Sequence, residues 1–307
     1  TERKRPMTDY RETDVLEQTD KTVLITGANT GIGYDTARVL AERGANILLG
    51  CRSEEKANEA IDKIKSIKAD AKVKWVSLDL SSLSSIREAA DQVNREEQLD
   101  ILINNAGVMI PPKSTTADGF ELQFGVNHLG HFALTAHLLN KLKTQPGARI
   151  VNVSSLAHRQ GVIDFEDIHS EKSYNRIKRY AMSKFANILF TYELQRRLHA
   201  VNSPAISVAC HPGGSKTELD RYVPFPFSLL FIPLGLIMNT SAEGALPTLM
   251  ASTGEEVNGG DYFGPKKLGE MAHSAHKVDT IPSSKDEALA RKLWELSTEL
   301  TGVAYAF

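Results

Sequence analysis

The stretch RYAMSKFANILF sets Tyr180 and Lys184 four positions apart. On a helix that spacing puts both side chains on one face, one turn from each other. A phenol ordinarily titrates at about 10, so it exchanges protons near neutrality only with help. An ammonium one turn away stabilises the phenolate and gives that help. The chain carries a second pair at the same spacing, Tyr174 and Lys178. Context separates them. Small residues and an apolar helical face follow Tyr180, which suits a helix pressed against a bound group. Tyr174 stands in the charged stretch HSEKSYNRIKR, which reads as surface. Two further polar candidates accompany the pair. IVNVSSLAH offers Ser154 and Ser155 at a strand end, pointing to opposite faces if the strand alternates. FGVNHLGHF offers Asn127 on a preceding helix.

A second cluster fits a phosphate. In VLITGANTGIGYDTARVL, Gly27, Gly31 and Gly33 follow a strand and open a helix. Glycines there let the backbone turn tightly and approach a pyrophosphate, and the helix start offers free N–H groups. Gly27, Asn29, Thr30, Gly31, Ile32 and Gly33 are therefore candidates for binding a dinucleotide. The next strand ends LLGCRSEEK, with Cys51 where an acid would hold a ribose hydroxyl, and then Arg52. A guanidinium matches a 2′-phosphate, so the expected cofactor is NADP(H). Lys184 could then also hold the nicotinamide ribose. Asp79 and Leu80, at the end of a third strand, are placed to meet the adenine. Asn105, Ala106 and Gly107, in NNAG at the end of a fourth, are placed to line the cleft.

These residues need a scaffold that brings strand ends together. The chain alternates short aliphatic runs with longer amphipathic stretches: KTVLITG, ANILLGC, VKWVSLDL, LDILINNAG, ARIVNVSS, AISVACHPG and GGDYFG are the strands. That alternation predicts an α/β fold, a single doubly wound Rossmann-type domain with a seven-stranded parallel sheet covered on both faces. Ligands bind such folds at the carboxyl ends of the strands. Residues 1–20 read as a polar arm or surface strap, and residues 21–307 as one catalytic domain. A chain of 307 residues supports a core of that size.

The ordered set TGxxxGxG, NNAG, helix asparagine, strand-end serine, YxxxK and a PG loop at Pro212 and Gly213 resembles the short-chain dehydrogenase/reductase family. It covers about residues 21–264. VNVSSLAH, SEKSYNR, YAMSKFANILFTYEL, HPG and LWELSTELTGV look closest to the retinol dehydrogenase branch. The resemblance implies roles. Ser155 would hydrogen-bond the substrate oxygen, and Tyr180 would exchange the proton. Lys184 would bind the ribose and lower the tyrosine pKa, and Asn127 would position a water in a proton relay. Pro212, Gly213 and Thr217 would contact the cofactor. Hydride would pass between nicotinamide and a carbonyl carbon.

The run PFPFSLLFIPLGLIM, residues 224–238, carries no charge and is broken by three prolines and a glycine. It follows the sixth strand, so it is expected to form part of a lid spanning about residues 215–245. Phe225, Phe227 and Phe231 would line an apolar pocket for a lipophilic carbonyl or alcohol such as a retinal-like, steroid or fatty substrate. Core packing, a subunit interface and a peripheral membrane contact are the competing readings. The expected activity is an NADPH-dependent reductase. The alternatives are a ketoreductase of compact or secondary-metabolite ketones and a non-catalytic NADP(H)-binding protein.

The remaining features bound the partners. A net charge of −2 gives no basic field for nucleic acid. No run is long and apolar enough for an integral span, and residues 1–20 do not read as a signal peptide, so a cytoplasmic protein is expected. A homodimer through outer helices stays open. His128, His131 and His137 lack the acidic or thiol neighbours of a metal site, and none is expected. Cys51 and Cys210 read as buried, reduced thiols. Trp75 and Trp294 read as packing residues.

Overall fold

The computed structural model describes residues 10–214 and 239–307. Chain order runs β1 (Thr22–Thr26), α1 (Gly31–Glu42), β2 (Asn46–Cys51), α2 (Glu54–Ile67), β3 (Val73–Ser77), α3 (Leu83–Asn94) and β4 (Ile101–Asn104). A single turn, α4 (Leu122–Phe124), runs through a π-helical turn (Gly125–Leu129) into α5 (Gly130–Leu142). Then come β5 (Arg149–Val153), α6 (Arg176–Ala200), β6 (Ile206–Cys210), α7 (Ser241–Thr253), β7 (Tyr262–Lys267), β8 (Ala272–Val278) and α8 (Glu287–Thr301).

The strands form one sheet in the order β3-β2-β1-β4-β5-β6-β7-β8. The seven expected strands are present and parallel, and the sequence reading missed an eighth. That strand, β8, folds back antiparallel on β7, pairing Tyr262 with Val278 and Phe263 with Lys277. Its sequence, AHSAHKV, has none of the aliphatic density of the buried strands.

Side-chain alternation divides the core. Val23 and Ile25 of β1 pack with α1, α2 and α7 on one face, while Leu24 between them packs with α3, α5 and α6 on the other. The register carries this across the sheet, since Leu24 pairs with Leu48 and Leu102, and Leu102 with Ile150. Burying both faces is why these strands read as continuous apolar runs.

The described part of the N-terminal segment is a strap. Tyr10 bridges to Ala275 of β8 and its hydroxyl meets Thr253 Oγ1 at 2.9 Å. Val15 is buried, and Glu12 pairs with Arg38 of α1 at 2.7 Å. Trp75 donates to the Cys51 carbonyl at 3.0 Å, and Trp294 packs between Phe132, Phe190 and Tyr305. Both cysteines are free and buried. His128 meets Ser297 Oγ at 2.9 Å, and burial pushes its pKa down to about 3. Among the described residues no helix is long and apolar enough to cross a membrane.

Candidate active site

β1 lies between β2 and β4, so the chain leaves it in one direction and returns on its other side. A crevice opens where these connections diverge, at the carboxyl ends of parallel strands. Gly27 follows β1, Arg52 β2, Asp79 β3, Asn105 β4, Ser155 β5 and Pro212 β6, so they share one edge of the sheet.

The glycine loop is shaped for close approach. Gly27 has φ +66°, and a Cβ there would lie 3.0 Å from Ala106. A Cβ at Gly33 would lie 2.5 Å from the Gly27 carbonyl and 2.6 Å from Asn105 Nδ2, so the start of α1 backs directly onto the loop. Helix geometry leaves the first N–H groups of α1 without intrahelical partners. Thr30, just ahead of them, makes no side-chain cap, and the first turn holds no acid. That cradle fits a pyrophosphate.

The NNAG loop is tied down from β1. Thr26 Oγ1 accepts the N–H groups of Asn105 and Ala106, each at 2.9 Å. With both lone pairs engaged, it donates to His131 Nε2 at 2.9 Å. The other ring nitrogen, Nδ1, then carries the proton and donates to the Asn127 carbonyl at 3.0 Å. Sequence reasoning did not single out Thr26, and it weighed His131 only as a metal ligand. Their signals are the position directly before Gly27 and the helical spacing of four from Asn127. Burial pushes the His131 pKa down to about 4, so the ring is neutral as this chain of bonds requires.

Asn127 sits in the π-helical turn, buried. Its amide accepts from the Val108 N–H at 2.8 Å and donates to the Val108 carbonyl at 2.9 Å. The same Nδ2 donates to Ser183 Oγ at 2.9 Å, linking it to α6. A Cβ at Gly107 would stand 3.1 Å from Asn127 Oδ1 and 3.5 Å from Lys184 Nζ, so this glycine keeps the floor of the cleft open.

The two strand-end serines part company. Ser154 is buried and donates to the Lys184 carbonyl at 2.8 Å. Ser155 caps the 3-10 turn Leu156–Gln160, accepting the Ala157 N–H at 3.2 Å, and its hydroxyl faces the Tyr180 phenol and favours the phenolate. Tyr180 and Lys184 share one face of α6, with Lys184 Nζ 5.8 Å from the tyrosine ring centre. The ammonium donates to the Val153 carbonyl at 3.1 Å. Burial pushes Tyr180 up to about 12, against a lowering by Ser155. It pushes Lys184 down to about 8. The phenol is thus a protonated acid through the neutral range. Dehydration of the ring outweighs an ammonium 5.8 Å from its centre that is engaged by the Val153 carbonyl.

Tyr174 falls two residues ahead of α6, behind the Asn175 cap, so it shares no helical face with Lys178. Its hydroxyl donates to the Pro111 carbonyl at 2.9 Å, fastening the wall of the cleft. The long segment between Ser155 and Tyr180 is anchored by Arg179, which donates to the Asp167 carbonyl at 2.6 Å.

Arg52 is exposed at the end of β2 and makes no ion pair among the described residues. Asp79 Oδ1 accepts from the Ser81 N–H and hydroxyl at 2.9 and 2.6 Å, with Leu80 buried beside it. Gly213 turns with φ +71° beside Pro212. Thr217, Phe225, Phe227 and Phe231 lie outside the described residues, as does most of the expected lid.

The match to known proteins agrees with this arrangement. A family profile described as short chain dehydrogenase matches residues 21–224. The chain belongs to that family. It is 45% identical over 292 residues to "Retinol dehydrogenase 13" of Homo sapiens, covering 92% of this chain and 85% of that one. It is 42% identical over 294 residues to "Retinol dehydrogenase 11" of Homo sapiens, covering 95% and 89%. A solved structure of an uncharacterized protein from Mycobacterium paratuberculosis superposes with TM-score 0.81 at 37% identity, covering 98% of this chain and 100% of the other. The branch expected from the motifs is thus the one its relatives occupy, and the chain is a short-chain oxidoreductase acting on CH–OH groups.

Proposed function

We propose that the protein is an NADP(H)-dependent oxidoreductase of lipophilic carbonyls and alcohols, in which Ser155, Tyr180 and Lys184 perform the proton chemistry. The observation that carries this reading is that Tyr180 and Lys184 share one face of α6, with Lys184 Nζ 5.8 Å from the tyrosine ring centre and 3.5 Å from the place of a Cβ at Gly107, at the sheet edge where Ser155 follows β5.

Gly27, Gly31 and Gly33 with the start of α1 would hold the pyrophosphate, and Asn105, Ala106 and Gly107 the floor beneath the nicotinamide. Asp79 and Leu80 would border the adenine, and Pro212 and Gly213 the nicotinamide end. When bound, the cofactor supplies or receives the hydride. In reduction, Ser155 and Tyr180 both donate to the carbonyl oxygen and so fix the substrate at hydrogen-bond distance. As the carbonyl carbon gains hydride, the oxygen takes the Tyr180 proton and the product alcohol forms. The phenolate left behind is stabilised by Lys184 and by the Ser155 hydroxyl. Oxidation runs the same transfers backwards, with the phenolate as base.

Arg52 supports NADP(H) over NAD(H), since a cation stands where the strand would otherwise present an acid to the ribose hydroxyls. The relatives' names and the uncharged run at residues 224–238 support an apolar substrate.

The test is a titration of purified protein with NADPH and NADH, followed by turnover of all-trans-retinal and a set of compact ketones. Tighter binding of NADPH and turnover of the long apolar aldehyde are expected. Preference for NADH would overturn the cofactor assignment. Turnover of compact ketones alone would overturn the substrate class.

A further inference from the structure

The turn at Pro212 and Gly213 takes its support from β7 and the loop that follows it, beyond the residues matched to the family. His211 precedes it, directly after β6, and is fully buried. Its Nδ1 accepts the Gly213 N–H at 3.2 Å, while its Nε2 faces Glu270 Oε2 at 3.0 Å. One tautomer satisfies both contacts. Nδ1 must offer a lone pair to the Gly213 N–H, so Nε2 carries the hydrogen and donates it to the carboxylate. The opposite tautomer would set two N–H groups against each other and leave Glu270 facing a bare nitrogen.

Glu270 serves a second loop as well. Its Oε1 accepts from Arg159 Nη2 at 2.7 Å. Arg159 lies in the 3-10 turn that Ser155 caps. One carboxylate therefore joins the loop after β5 to the loop after β6. Glu270 itself has φ +67° and follows Leu268 at +54° and Gly269 at +66°. A left-handed conformation is costly for side chains other than glycine, yet here it aims the carboxylate at both partners. The same turn presses on the glycine. A Cβ at Gly213 would lie 2.6 Å from the Met271 carbonyl and 2.9 Å from that of Glu270.

We infer that Glu270 and His211 are positioning residues: the carboxylate fixes the His211 tautomer, His211 Nδ1 holds the Gly213 N–H, and the turn at Pro212 and Gly213 is thereby set to receive the nicotinamide cofactor. Arg159 extends the same brace to the Ser155 loop. This rests on the proposed assignment of Pro212 and Gly213 to the cofactor.

The test combines NADPH titration with 15N spectra of the histidine rings. Wild-type His211 is expected to show a protonated Nε2 and a bare Nδ1. Glu270→Ala should mix the tautomers and weaken NADPH binding by about tenfold, the scale of one lost charge-assisted hydrogen bond. His211→Gln should weaken it about as much. His211→Asn should recover most of that loss, because its amide oxygen falls near the place of Nδ1 and still accepts from Gly213. A structural role alone would not separate Asn from Gln. A wild-type ring protonated at Nδ1 would overturn the inference without any variant. So would equal losses in His211→Asn and His211→Gln, or unchanged binding in Glu270→Ala, while wild-type NADPH binding left the cofactor reading standing. Wild-type protein that binds neither NADPH nor NADH would overturn both.

Discussion

Lys184 holds its ammonium 5.8 Å from the centre of the Tyr180 ring, one helical turn away, and is tethered to the Val153 carbonyl at 3.1 Å. Burial acts on the two in opposite directions. It pushes the phenol up to about 12 and the ammonium down to about 8. Each group is driven toward its neutral form because packing removes much of the water around it.

The pH dependence follows from these directions. A phenol near 12 is a ready acid throughout the neutral range, whereas the lysine loses its charge above about 8. Carbonyl reduction should therefore be flat from about pH 6 to about pH 8 and fall above it. Alcohol oxidation needs the phenolate and should climb with pH over the same interval. Pre-steady-state rates in both directions would check this. A reduction rate that rises with pH through neutrality would contradict it.

The two serines should separate cleanly. Ser155→Ala removes a hydroxyl that faces the Tyr180 phenol and should cut turnover by about a hundredfold with little change in stability. Ser154→Ala removes a buried donor to the Lys184 carbonyl and should cost about 1 kcal/mol of stability while most turnover remains. Matched kinetics and thermal melts on both variants would decide. Equal loss of turnover would mean that alternation at this strand end does not set their roles.

Arg52 makes no ion pair among the described residues, so its loss should leave the fold intact. Arg52→Ala should weaken NADPH by about tenfold or more and leave NADH nearly unchanged. Loss of both equally would place the arginine away from the 2′-phosphate.

Acid should destabilise the fold through its buried histidines. Burial depresses His128 to about 3, and His131 and His158 to about 4. The unfolded chain takes up protons at these sites below about 6.5, while the folded one does not until its lower values are reached. Stability is then full above about 6.5 and falls as pH drops toward 4. Thermal melts between about pH 7 and about pH 5 should show the midpoint dropping by several degrees. Replacing His131 with Gln should make that slope shallower.

Much of this architecture is legible in the residues because its physics is local. The aliphatic runs of β1 and β2 are buried on both faces, and Tyr180 and Lys184 meet through helical spacing alone. The choice between Ser154 and Ser155 needs the strand's orientation, which alternation narrows to two faces without naming one. The antiparallel β8 hides because AHSAHKV is an edge strand whose polar residues face outward. Asn127 reads as helical, but the π-helical turn that aims it at Val108 has no sequence mark. Glu270 and His211 lie 59 positions apart, and only the hairpin of β7 and β8 brings them together.

The central claim is that Tyr180 is the proton donor and acceptor in a nicotinamide-dependent reaction. The most direct measurement is carbonyl-dependent oxidation of NADPH by wild-type protein and by Tyr180→Phe, with nucleotide binding measured on both. The account predicts turnover in the wild type, a loss of about a thousandfold in the variant, and unchanged binding of NADPH. A Tyr180→Phe variant that turns over carbonyls at the wild-type rate would contradict it.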